Sequence, residues 1–165
     1  MTTLSTPTLT VTLPSDREVM LMREFDAPRD LVFEAFSKPE HIARWWGQKG
    51  STMPVCESDF RPGGAWRFVE HAADGNDYGF HGEYREIVRP ERIVWTFEFE
   101  GLPGHISLDS LVFDEIDQGQ RRRTRITSTT VFDSIEDRDG MVQSGMAQGA
   151  SESYERLAEY LRTLA

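Results

Sequence analysis

Cysteine is nearly absent: Cys56 is the only one in 165 residues. An intrachain disulfide is excluded, and a lone thiol fits a reducing cytoplasm. Basic charge is also scarce, with 18 Lys and Arg against 28 Asp and Glu and a formal net charge of −10. Nucleic acid and anionic membranes reward clustered cations, so neither is expected as a main partner. Long apolar runs are missing: no stretch approaches the ~18 residues that a membrane span needs. The first sixteen residues lack the basic segment and apolar core of a secretory leader, and a cytoplasmic location is expected. No internal repeat is visible. His41, His71, His81 and His105 have no metal-ligand spacing, and Cys56 has no His or Cys at zinc-finger distance. No Ser-His-Asp order stands out, and Gly63-Gly64 reads as a turn rather than a nucleotide cradle. No metal and no cofactor are expected.

Apolar bulk is present in quantity. Hydrophobic residues make up 38% of the chain and aromatics 11%, including four Trp and ten Phe. A domain of this length buries roughly 70% of its unfolded surface, enough for a core without disulfides or metals. Residues 1–16 read as a flexible N-terminal segment and 17–165 as one domain. Within the segment, Thr8, Thr10 and Thr12 alternate with Leu9, Val11 and Leu13, so a short edge strand is the alternative.

From Glu18 the elements follow in a definite order. Val19, Leu21 and Phe25 share one parity of a first strand. Asp26-Ala27-Pro28 opens a short helix carrying Leu31, Val32, Ala35 and Phe36 at helical spacing, and Pro39 starts a second that carries Ile42, Trp45 and Trp46. Strands are expected over 52–60, 65–71, 78–88, 93–100, 107–116 and 121–132, separated by clusters such as Arg61-Pro62-Gly63-Gly64. Such short connections favour antiparallel pairing. The last element opens at Ser134 with fraying near Gly140, and from Met141 to Leu164 it reads as an amphipathic helix of about seven turns if continuous. The expected fold is α+β: a curved antiparallel sheet of about six or seven strands, two short helices after strand 1, and a long C-terminal helix over the concave face.

This order, with several local stretches, resembles the START-like helix-grip superfamily (SRPBCC). The similarity is greatest to the group related to the activator of the heat-shock protein 90 ATPase. The stretches are Phe25-Asp26-Ala27-Pro28 with Val32 to Phe36, Pro39 to Gly47, Asp59 to Phe68, Gly82 to Ile87, Pro90 to Thr96, and Gly140-Met141. The resemblance implies a helix-grip fold with a cavity between sheet and long helix. Members bind lipids, hormones or polyketides, or serve as co-chaperones.

Strand parity supplies a wall for such a cavity, with Gly82 leaving space: Trp66 and Phe68; Tyr78, Phe80, Gly82 and Tyr84; Trp95, Phe97 and Phe99. A packed aromatic core is the alternative. The first half of the long helix is rich in small residues, and Gly145 and Gly149 suggest either close backbone approach or space withheld for a ligand, with Met141 and Met146 as adaptable fillers. The expected ligand-binding set is Trp46, Trp66, Phe68, Phe80, Tyr84, Trp95, Phe97, Met141, Gly145, Met146 and Gly149. The titratable groups that parity leaves for catalysis inside are Tyr78, Tyr84 or a displaced His81. Arg121, Arg122, Arg123 and Arg125 form the one basic run, read as a solvated outer strand face or a site for an anionic partner. Acidic residues at 136, 137 and 139 are its expected complement. A non-catalytic domain enclosing a small hydrophobic or aromatic molecule is the expected function. The alternatives are a co-chaperone-like module docking on a chaperone protein through the outer strand face and its arginine run, and a cyclase or aromatase-type enzyme.

Overall fold

The computed structural model describes residues 5–164; residues 1–4 and Ala165 lie outside that range. The elements are β1 (Thr10–Thr12), β2 (Glu18–Phe25), α1 (Arg29–Ser37), α2 (Pro39–Trp45), β3 (Thr52–Ser58), β4 (Ala65–His71), β5 (Asp77–Val88), β6 (Arg92–Phe99), β7 (Ile106–Glu115), β8 (Thr124–Val131), α3 (Ile135–Gln143) and α4 (Met146–Leu164). The strands make one sheet ordered β1-β2-β8-β7-β6-β5-β4-β3, antiparallel throughout. The strand count is higher than expected because β1 pairs with Met20–Met22. Leu9 and Val11 beside it are buried. Of the two readings of the Thr-rich segment, the edge strand is the one present at residues 10–12.

β2 lies next to the β1 edge and β3 forms the opposite edge, so the chain must cross the sheet between them. The two short helices make that crossing. Pro28 and Pro39 sit at their starts, where a missing N–H costs nothing. Val32, Phe33, Ala35 and Phe36 of α1 are buried. The Phe33 and Phe36 rings lie 5.2 and 5.4 Å from that of Phe113, so α1 closes one end of the sheet. Among the described residues no helix is long and apolar enough to cross a membrane.

The concave face follows from parity. Across neighbouring strands the row Tyr84, Trp95, Asp109, Thr130, Val19 is in register. A register shift between Tyr84 and Glu86 marks a bulge in the long β5, the kind of irregularity that bends a strand. Gly82 does not leave space for a ligand. A Cβ there would lie 1.9 Å from the Thr96 carbonyl oxygen, so the glycine permits close strand approach.

The C-terminal helix is not continuous. Gly145, with φ +86°, separates α3 from α4. A left-handed residue ends the helical hydrogen-bond ladder, and glycine adopts it without a Cβ penalty. Ser134 caps α3 by accepting the Asp137 N–H at 3.0 Å. The buried stripe of α4 is Ser151, Tyr154, Leu157 and Leu161, whereas no α3 residue is buried.

The two helix glycines have opposite expected responses to alanine. Gly145→Ala meets no atom within 4 Å but forces a strained φ. It should cost about 1 kcal/mol, lowering Tm by about 2–4 °C. Gly149→Ala, whose Cβ would meet only the Gln48 side chain at 3.8 Å, should instead raise stability by about 0.5–1 kcal/mol. Thermal melts of the two variants check the pair.

Candidate functional site

An aromatic cluster occupies the concave face. The Trp66 ring lies 4.6 Å from Phe68, 5.4 Å from Trp95 and 4.7 Å from Phe97. Tyr84 stacks on Trp95 at 5.7 Å and 15°. Trp46, the residue that ends α2, reaches over the sheet to Phe68 at 5.0 Å and Phe80 at 6.4 Å, and lies nearly parallel to Phe97 at 6.1 Å and 10°. The expected aromatic residues therefore do converge, but they divide into two classes. Trp66, Phe68, Tyr84 and Trp95 are at most 2% exposed and form packed core. Trp46, Phe80 and Phe97 are half-buried.

That half-buried side has a definite place. Phe97 pairs with Ser107, and Leu108 pairs with Val131, the last residue of β8. α3 begins four residues after Val131, so the α3–α4 elbow lies at this end, opposite the end closed by α1. Met141 and Met146 are half-buried against the core, one on either side of the elbow. Gly145 is exposed and forms the elbow rather than a wall, and Gly149 faces Gln48.

Trp46 is held from above by α4. Arg156 donates to the Trp46 carbonyl at 3.0 Å, the Gln48 carbonyl at 3.1 Å and Ser51 Oγ at 3.0 Å. Ser153 Oγ accepts the Gly47 N–H at 3.1 Å, and Glu152 accepts the Lys49 N–H at 2.9 Å. On the sheet side, Glu70 accepts the Gln48 N–H at 2.8 Å.

One functional group was not anticipated. Asp109, on β7, is 7% exposed and has no ion-pair partner among the described residues. Its Oδ2 accepts the Trp95 indole N–H at 2.8 Å, and its Oδ1 accepts from Ser128 at 2.7 Å and Thr130 at 3.3 Å. Burial pushes its carboxyl up to about 6, against the pull of those three donors. The Tyr154 phenol of α4 is also raised, by burial first and then by the Asp109 charge. The Trp66 indole N–H is buried without a hydrogen-bond partner among the described residues. The signal for Asp109 lay in the sequence: in Ser107, Asp109, Leu111 and Phe113 an acid sits on the inward parity of an apolar strand.

The other titratable residues lead away from chemistry. Tyr84, bonded to Ser58 Oγ at 2.8 Å, is pushed up to about 12 by burial. Tyr78 donates to Asp74 in its own hairpin. His81 faces outward between Glu98 at 3.3 Å and Glu100 at 2.9 Å. Glu100, held chiefly by Arg67, falls to about 2. Cys56 donates to the Pro39 carbonyl, and burial raises its thiol to about 11, so it is not a thiolate at neutral pH. The arginine run mostly precedes β8, and only Arg125 lies on the strand. Its complement is Glu24, Asp26 and Glu115 rather than the acids of α3. Two surface depressions, of about 480 Å³ beside Leu31 and Leu164 and about 320 Å³ beside Thr8 and Met22, are lined by no member of the aromatic cluster.

Asp109 gives the stability a testable pH dependence. Its folded-state pKa lies above the ordinary carboxylate value near ~3.9, so protonation favours the folded chain. Its ionisation therefore destabilises increasingly as pH rises from about 4 through 6. The stability advantage of Asp109→Asn over the wild type should be larger at pH 7.5 than at pH 4.5, by urea unfolding. The remaining carboxylates and histidines are common to both proteins and cancel in that difference.

The same architecture occurs in solved structures. A Mycobacterium smegmatis protein superimposes with a TM-score of 0.84 at 23% identity, over 96% of this chain and 100% of that one. A Chromobacterium violaceum protein gives 0.73 at 26%, over 87% and 96%. A Silicibacter pomeroyi protein described as AHSA1 gives 0.72 at 20%, over 90% and 99%. No curated protein sequence matches. Residues 26–162 match the family described as Activator of Hsp90 ATPase homolog 1-like protein, and with its helix-grip sheet, crossing helices and C-terminal helix the chain belongs to that family.

Proposed function

We propose that the protein binds a small molecule with an apolar or aromatic body at the open end of the grip, between Trp46, Phe80 and Phe97 and the elbow flanked by Met141 and Met146. The observation that carries this reading is the gradient of burial across one continuous ring cluster. The rings near α1 are closed against each other, whereas those nearest the elbow keep exposed apolar surface. Covering such surface is worth about 25 cal/mol per Å², which gives a ligand its main affinity. Methionines adapt to occupants of different shape, and a helix break beside them leaves α3 with no buried residue to anchor it. The fully buried Trp66, Phe68, Tyr84 and Trp95 then serve as the floor on which the half-buried rings rest.

A second reading, docking on a chaperone, draws on the family description. The surface expected to serve it, the arginine run, spends its charge on Glu24, Asp26 and Glu115. The ligand reading is therefore the better supported.

Titration of the full chain with the neutral fluorophore N-phenyl-1-naphthylamine tests it. We expect saturable enhancement of emission and a rise in Tm. Trp46→Ala and Phe97→Ala should weaken binding about tenfold by loss of buried apolar area. Val88→Ser, at an exposed residue where β5 ends on the opposite side of the sheet, should leave it unchanged. Absence of binding, or equal loss in all three variants, would overturn the reading.

A further inference from the structure

The electrostatics of the concave face select a ligand class. Asp109 is more than nine-tenths buried, and hydrogen-bond donors occupy both of its oxygens. No Lys, Arg or His forms an ion pair with it among the described residues. The groups around it are the Trp95 indole from β6, Ser128 and Thr130 from β8, and the Tyr154 phenol from α4. Arg23 of β2, a cation on the same face, is paired with Glu155 at 3.0 Å and lies over the Phe25 ring. Hydroxyl and indole dipoles orient toward a carboxylate but do not cancel its charge. A buried anion without a countercharge is costly.

The neighbouring rings reinforce the same sign. Trp95, whose N–H is bonded to Asp109, packs against Trp66, Phe97 and Trp46. Aromatic faces carry negative potential and attract cations. Thr130, one of the Asp109 donors, is half-buried and lies in the row adjoining the half-buried end of the sheet. A buried carboxylate and an aromatic floor thus adjoin the proposed ligand site and both favour positive charge.

The geometry points to an organic cation as the ligand: a protonated or quaternary amine on an apolar body, its nitrogen paired with Asp109 and its body against Trp46 and Phe97. This inference rests on the binding reading above and narrows it to one chemical class. The raised carboxyl of Asp109, about 6, is what an uncompensated site produces, and a bound cation would return it toward the ordinary range.

Calorimetric titration of the full chain with 2-phenylethylamine and 2-phenylethanol, which share a ring and chain length and differ in charge, tests the inference. At pH 7.5 the amine should bind about tenfold more tightly than the alcohol. At pH 5.0 the amine remains charged while Asp109 takes up a proton, so the preference should shrink while alcohol binding is unchanged. Asp109→Asn should reduce the preference several-fold at pH 7.5, and the pH series on the wild type gives the answer even if that variant folds poorly. Equal affinity for the two compounds, a preference undiminished by Asp109→Asn, or one that grows at pH 5.0 would overturn the inference. If neither compound binds while N-phenyl-1-naphthylamine does, the cation assignment fails and the binding site stands. If all three fail, both fall.

Discussion

The guanidinium of Arg156 joins the two layers of this fold. From the middle of α4 it donates to three backbone carbonyls and a serine hydroxyl in the loop that follows α2. Those carbonyls end a crossing segment that would otherwise leave backbone acceptors unpaired beneath a helix. This arginine is half-buried, and burial lowers its pKa. With Glu152 and Ser153 on the same helix and Glu70 on the sheet, it fixes the position of Trp46. The aromatic cluster needs Trp46 in that place, because this ring reaches from the crossing segment to Phe68, Phe80, Trp95 and Phe97.

Two kinds of order meet on the concave face. Toward α1 the packing is that of an ordinary core, with Phe33 and Phe36 edge-on to Phe113. In the middle, Asp109 ties β6, β7 and β8 together through side-chain hydrogen bonds, which fix direction in a way that ring packing does not. Replacing it with an apolar residue would leave Trp95, Ser128 and Thr130 with unused donors. The carboxylate is thus at once a structural pin and a buried acid beside Tyr154 of α4.

Most of the fold was legible because the period-two signal is strong where one face is buried. Val19, Leu21 and Phe25, and likewise Trp95 and Phe97, fall on the inward side as their spacing required. The turns at Gly63 and Gly75 marked strand ends because both take left-handed conformations. The interruption at Gly145 was harder to read, since a glycine within a helical pattern is tolerated as often as it is a stop. Gly82 misled because sequence cannot distinguish room for a ligand from the close approach of the Thr96 carbonyl. Asp109 and Arg23 went unnoticed for a common reason. Each is a charged residue on an inward parity, and reading strands for their apolar members passes over the polar ones that share the same side.

The elbow at Gly145 separates two regions of different local stability. α4 is anchored by Tyr154, Leu157 and Leu161 and by the Arg156 clasp, so its amides can exchange with solvent only through openings that also disrupt the core. α3 buries no residue fully and is held by its Ser134 cap, by the half-buried Met141 and Val142, and by surface contacts such as His105 to Asp137. The hydrogen-bond ladder does not run through Gly145, so α3 can unravel as a small unit while the rest of the grip stays closed. If the open end binds a molecule as proposed, admitting it need not cost more than the fraying of nine residues.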